Sequence, residues 1–114
     1  MVKVSKNVFR VTKGDTVDVP LHLTFNGEPY VPGEGDVIRF ALKRDIDDAE
    51  PVMIKVIPND TLRLYISAEE CDELEPAEKK PYCYDVQLTL GHNGHVITFI
   101  TYKEGKFYVY KEVE

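Results

Sequence analysis

The sequence predicts an all-β fold: an antiparallel immunoglobulin-like β-sandwich of roughly seven to eight strands with one short helical turn, in a single domain over residues 1–114. Three observations carry that expectation. Apolar residues recur at every second position through most of the chain, turn-forming Gly, Pro, Asn and Asp clusters interrupt the alternation at short intervals, and only one segment departs from it.

A first strand is expected around Val8 to Thr12, ending before Gly14-Asp15. In Val17, Val19, Leu21, Leu23 and Phe25 every second residue is apolar, while Asp18, Pro20, His22 and Thr24 fill the gaps. Such a strand turns one face to a core and the other to water. Pro20 has no N–H to give a ladder, so the strand belongs at a sheet edge or carries a bulge there. Asn26-Gly27 is the pair favoured by a two-residue type I′ hairpin, whose central residues both need positive φ.

Ile38, Phe40 and Leu42, then Val52, Ile54 and Val56, then Leu62, Leu64 and Ile66 read as the core-facing sets of three more strands. Pro32-Gly33-Glu34-Gly35-Asp36 and Pro58-Asn59-Asp60 mark turns between them. Ser67-Ala68-Glu69-Glu70 breaks the period with a capping box, predicting a short helix from about Ala68 to Leu74, ended by Pro76. That helix would cross between two sheets. Tyr82, Tyr84, Val86, Leu88 and Leu90 then resume the alternation. A tyrosine-led strand after such a crossing suggests a tyrosine corner, with Tyr84 the first candidate and Tyr82 the next. The Cys…Trp…Cys pattern of antibody domains is missing, and there is no Trp. The chain is expected to close on a hairpin, residues 96–102 and 107–113, about Lys103-Glu104-Gly105-Lys106.

At 114 residues, one core without disulfide or metal staples is expected. Acidic residues outnumber basic ones by 20 to 14, for a net charge of −6, and the basic residues are scattered. That argues against nucleic acid as a partner, because phosphate binding rests on clustered Lys and Arg. No stretch suits a signal-peptide core or a membrane span, so a soluble protein made in the bacterial cytoplasm is expected, with no membrane partner. Cys71 and Cys83 read as free thiols rather than a disulfide framework.

No catalytic, cofactor-binding or metal-binding residues are assigned. The chain has no Gly-rich phosphate cradle, no G-x-S-x-G, no H-E-x-x-H and no C-x-x-C. His92 and His95 bracket a turn and so offer two nitrogens, but no third ligand lies near them in sequence. The acidic run from Arg44 to Glu50 lacks the glycine and distal glutamate of an EF-hand and reads as a solvated loop. Among seven Tyr and five Phe, the candidate interaction surface is Tyr102, Tyr108 and Tyr110. Alternation puts Tyr108 and Tyr110 on one face and Phe107 and Val109 on the other, and cross-strand packing is the competing reading.

Several ordered segments carry a resemblance. Val11-Thr12-Lys13-Gly14-Asp15-Thr16, Asn26-Gly27-Glu28-Pro29-Tyr30, Gly35-Asp36-Val37-Ile38-Arg39-Phe40-Ala41-Leu42-Lys43, Tyr82-Cys83-Tyr84-Asp85-Val86-Gln87-Leu88 and Gly105-Lys106-Phe107 follow one another at spacings that cover most of the chain. Together they resemble short phage and prophage structural proteins of Gram-positive bacteria, like the N-terminal sandwich domain of baseplate upper proteins. The resemblance implies a virion or assembly role, with other phage structural proteins as partners, or the chain itself in a homo-oligomer. It supplies no catalytic residues. An immunoglobulin-like module that binds glycan or peptide is the alternative expectation. Within its 114 residues no coiled coil or receptor-binding module of the longer baseplate proteins is expected, so the resemblance does not extend to direct host binding.

Overall fold

Among the described residues ten strands and one helix follow one another: β1 (Lys3–Ser5), β2 (Val8–Thr12), β3 (Val17–Pro20), β4 (Thr24–Phe25), β5 (Glu28–Pro29), β6 (Val37–Lys43), β7 (Met53–Ile57), β8 (Arg63–Ile66), α1 (Ala68–Asp72), β9 (Ala77–His92) and β10 (His95–Tyr110). The computed structural model describes residues 2–5, 8–25, 27–45, 47–92 and 95–111, with the side chains of Ser5, Thr24, Phe25, His92 and residues 95–104 outside the description. The fold is all-β apart from α1. A six-stranded sheet has the order β1-β2-β10-β9-β6-β7, and β3-β8 and β4-β5 form two-stranded ribbons.

The sheet is mixed, which corrects the wholly antiparallel expectation. β2 runs parallel to β10, with Phe9 beside Phe107 and Val11 beside Val109. Short turns impose antiparallel pairing only on strands they join directly. β2 and β10 lie at opposite ends of the sequence, so no turn constrains their direction.

Alternation places the core where it was expected in most strands. Ile38, Phe40 and Leu42 of β6, Leu64 and Ile66 of β8, and Tyr82, Tyr84, Val86 and Leu88 of β9 are all buried in one cluster with Phe9, Val11 and Val17. At its centre Phe9 meets Tyr84 edge-on (5.2 Å between centroids) and stacks on Phe107 (5.3 Å), while Phe40 stacks on Tyr84 (5.2 Å). Aromatic contacts of this kind add about 0.5–1.5 kcal/mol each beyond the area they bury. They occupy the middle of the core in a chain without Trp, whose Cys71 and Cys83 are both free thiols.

Four elements differ from expectation. The strand expected over residues 17–25 stops at Pro20; β4 is separate and pairs with β5 through Phe25 and Glu28, and Gly27 next to β5 has φ 80°. Asn26 of that hairpin lies outside the described residues.

The second difference is the closing hairpin, which is instead one continuous strand. β10 pairs with β9 from His95 to Val109 with irregularities between Ile100 and Tyr102 and between Tyr102 and Gly105. Gly105 lies within this strand because it makes room for a ring: a Cβ there would sit 2.3 Å from Tyr84 Cε1 and Cζ. A glycine inside a strand is the expected mark of such a bulge or close approach.

The third difference is the corner tyrosine. Tyr82, not Tyr84, ties down the crossing: its hydroxyl accepts from the Glu75 N–H (3.0 Å) and donates to the Glu75 carbonyl (3.1 Å). Burial holds its phenol above the usual range, so it acts as a neutral donor and acceptor. Tyr84 faces the aromatic core instead. The two differ by a full strand period, so alternation cannot rank them.

The fourth concerns β7. Val52, Ile54 and Val56, expected in the core, are 50%, 54% and 61% exposed, and Ile57 is the buried residue of this strand. Ile57 and Met53 of the other set pack into and against the core, and the helix accommodates the lysine between them. α1 has the predicted capping box, with Ser67 Oγ accepting from Glu70 N–H (3.2 Å) and Glu70 Oε1 accepting from Ser67 N–H (3.0 Å). The same Glu70 carboxylate takes both oxygens to Lys55 Nζ (2.9 and 2.8 Å). Lys55 is thereby satisfied facing α1, and the alternate positions turn outward.

Candidate interaction surface

The outer face of the six-stranded sheet carries both the expected tyrosines and the unexpected stripe. β-pairing places Ile54, Ala41 and Asp85 in one row across β7, β6 and β9, and Val56, Arg39 and Gln87 in the next. Lys43, Cys83 and Lys106 make a third row that reaches β10. Side chains two residues apart on a strand share a face. Tyr108 and Tyr110 therefore continue the same surface beyond Lys106.

Tyr108 and Tyr110 are half-buried and stack on each other with centroids 6.4 Å apart and planes at 15°. Arg10 of β2, paired with Tyr108 across the parallel ladder, sets its guanidinium 5.2 Å from that ring's centroid. Phe107 and Val109 point the other way and are fully buried, as alternation predicts. Tyr102 pairs with Val86 along the backbone, and its side chain lies outside the described residues. Two of the three candidates are thus brought together. Neither reaches the stripe on β7, which lies across β9 and β6 from β10.

Val52, Ile54 and Val56 are the residues that sequence reasoning placed wrongly. Their exposure matters because β7 is the last strand of its sheet. An edge strand presents unpaired backbone groups to any chain that can add to it, and natural edges are usually blunted by charge, proline or shortness. The sequence did contain a signal: Pro51 and Pro58 bracket the segment, as they would an edge.

Two other edges, β1 and β3, carry such protection. β1 is only three residues long. On β3, Leu21 donates its N–H to Leu62 O (2.7 Å), so by antiparallel alternation the N–H that Pro20 lacks would face the open side. The Asp18 carbonyl is occupied by Arg63 Nη2 (3.0 Å), and Arg63 Nε also bonds Asp18 Oδ1 (2.7 Å). In β7 the single charge, Lys55, is turned inward onto Glu70. Nothing charged in β7 itself faces outward.

Beside β3 an apolar cleft of about 390 Å³ reaches the core, with Val2, Val4 and Leu21 towards its mouth, Phe9, Phe40 and Tyr84 deeper, and His22 among its walls. At the end of the molecule where β6 begins, Asp36 knots several loops. Its Oδ2 accepts from Tyr30 Oη (2.8 Å) and Gly33 N–H (2.8 Å), its Oδ1 from Gly91 N–H (3.3 Å), and its carbonyl from Asn59 Nδ2 (2.8 Å). This carboxylate is 5% exposed and fully engaged in structure.

His92 and His95 pair along the backbone, with side chains outside the described residues. The acidic loop is closed on itself by Asp48 Oδ2 accepting from Asp45 N–H (3.0 Å), and Asp45 also meets Lys80 Nζ (3.1 Å); Ile46 lies outside the description. Among the described residues no group of three or more His, Cys, Asp or Glu is placed to hold a metal, and no helix is long and apolar enough to cross a membrane. Cys71 is buried, with its thiol pushed up by desolvation, the state of an inert packing residue.

No protein-family model matches the chain, and the searches of curated proteins and of solved structures likewise returned no match.

Proposed function

We propose that the chain is a single immunoglobulin-like sandwich domain that acts as a non-catalytic structural or assembly component of a phage or prophage particle. The architecture is supported by correspondence of order. β3 and β8 stand where strands B and E stand, and β7, β6, β9 and β10 follow the sequence C′, C, F, G of a variable-type sheet. The hydroxyl of Tyr82 on the Glu75 backbone supports the same reading, because it ties the E–F crossing as a tyrosine corner does.

The observation that carries the function is the exposed Val52, Ile54 and Val56 stripe on an edge strand. A contiguous apolar patch beside open backbone groups is a protein-interaction surface in the making. The particle context comes from the resemblance to baseplate upper proteins. The light-scattering mass of the chain, alone and after mixing with structural proteins encoded beside it, tests the reading. A mass above one chain in either arm is expected, and a single-chain mass in both arms contradicts it.

The apolar cleft favours a second reading, a module that binds a peptide through an apolar side chain. Its walls offer few polar groups to orient a glycan.

A further inference from the structure

We infer that β7 pairs with β7 of a second copy of this chain, antiparallel across a twofold axis at Ile54, joining two six-stranded sheets edge to edge. The inference rests on reading the chain as an interaction domain and goes further, by naming the partner and the register.

Two features select a second copy, and a third sets the register. The stripe reads the same in both directions about Ile54, with Val52 and Val56 equidistant from it. Antiparallel pairing about that residue sets Ile54 on Ile54 and each Val52 on a Val56, giving β-branched cross-strand neighbours on one continuous face. An isologous contact of this kind needs a self-complementary surface, and the stripe has that property.

Charge selects the same partner. The chain carries net −6, so two copies repel unless they meet on an uncharged strip. The outward positions of β7 are uncharged, and its one lysine is already held by Glu70 at 2.8 Å. The proposed register also places Lys55 opposite Met53 rather than opposite itself. Like charges directly opposite each other in a ladder are destabilising, so this register avoids the main penalty of self-pairing.

Proline selects the register. Pro51 and Pro58 flank the paired segment and cannot donate to a ladder. Slippage by two residues in either direction would bring one of them toward the joint and break the Ile54 match. The hexapeptide between them is rich in β-branched residues and free of proline, the composition that pairs most readily when left open.

Two substitutions test the inference. Ile54→Cys, oxidised gently, is expected to give a disulfide-linked dimer in high yield, whereas Val31→Cys, at a position 79% exposed but far from the stripe in sequence, is not. Ile54→Lys, which sets two ammonium groups against each other, is expected to weaken the dimer at least about tenfold while circular dichroism stays unchanged. A wild-type dimer that ignores Ile54→Lys, or equal cross-linking at both cysteines, overturns the β7 pairing and leaves the interaction-domain reading standing. A wild-type chain of single-chain mass at every concentration also overturns it, and the mixed-protein arm above then decides the broader reading alone.

Discussion

Replacing Tyr82 by Phe removes one hydroxyl and leaves the ring in place, so it isolates the corner from the core. The ring is 3% exposed and lies beneath Arg44, whose guanidinium carbon is 4.8 Å from the ring centroid. Arg44 is held independently by the carbonyls of Lys80 (3.0 Å) and Pro81 (3.3 Å), so its stacking should survive. What is lost is the pair of bonds to the Glu75 N–H and carbonyl.

A hydrogen bond of this type contributes about 0.5–1.5 kcal/mol net, which puts the pair near 2 kcal/mol. Glu75 is an exposed residue, so water can reclaim part of its backbone, and the expected loss is about 1–2 kcal/mol. For a domain of this size that corresponds to a fall in Tm of roughly 5–10 °C. Urea unfolding followed by circular dichroism should show a lower midpoint at unchanged slope, because the surface exposed on unfolding is the same. Tyr110→Phe, on the outer face, is the matched control. A loss for Tyr82→Phe below about 0.5 kcal/mol, no larger than an ordinary surface substitution, refutes the corner as an energetic tie.

Three further perturbations follow from the same structure. Gly105→Ala drives a methyl group into the Tyr84 ring and is expected to cost about 1–3 kcal/mol by overpacking, read as a lower Tm; an unchanged Tm contradicts the close approach. Asp36→Asn turns one accepting oxygen into a donor that faces other donors. It should cost about 1–3 kcal/mol and speed amide exchange at Gly33 and Gly91, whereas unchanged exchange there contradicts the knot.

Glu70 supplies the pH dependence. The Lys55 ammonium, followed by the Ser67 N–H, holds its carboxyl below the usual range. A depressed folded value means that its stabilisation is complete above the unfolded value and is lost as pH falls through the folded one. Glu70→Gln should therefore lower stability at neutral pH by up to about 1 kcal/mol and make the acid limb shallower. An acid limb identical to wild type contradicts the assignment.

Much of the fold is legible from local chemistry. β6, and β9 from Tyr82 to Leu88, present uninterrupted alternation, and the Ser67–Glu70 box forms as its spacing requires. The face shared by Tyr108 and Tyr110 follows from the same period. The features that were not legible depend on distant partners. The direction of β2 is set against β10 at the far end of the chain. Gly105 reads as a turn residue until the ring of Tyr84 is seen to occupy its missing side chain.

The stripe on β7 is the clearest case. On hydrophobicity alone Val52, Ile54 and Val56 belong inside, since the alternate set contains Lys55. The alternate set is Met53, Lys55 and Ile57: Ile57 is buried in the core, Met53 packs against it, and Glu70 on α1 partners the lysine between them, a charge pair 15 residues apart that is invisible to a period-two reading. The reversal leaves an apolar edge in water, separated by β9 and β6 from the face that Tyr108 and Tyr110 share.

Amide hydrogen exchange of the β7 segment at low and high protein concentration tests the central claim most directly. Open edge amides exchange quickly, while amides taken into a second ladder exchange slowly. Protection of β7 that rises with concentration, while β3 is unchanged, is the predicted result. Exchange at β7 that is fast and the same at every concentration contradicts the account.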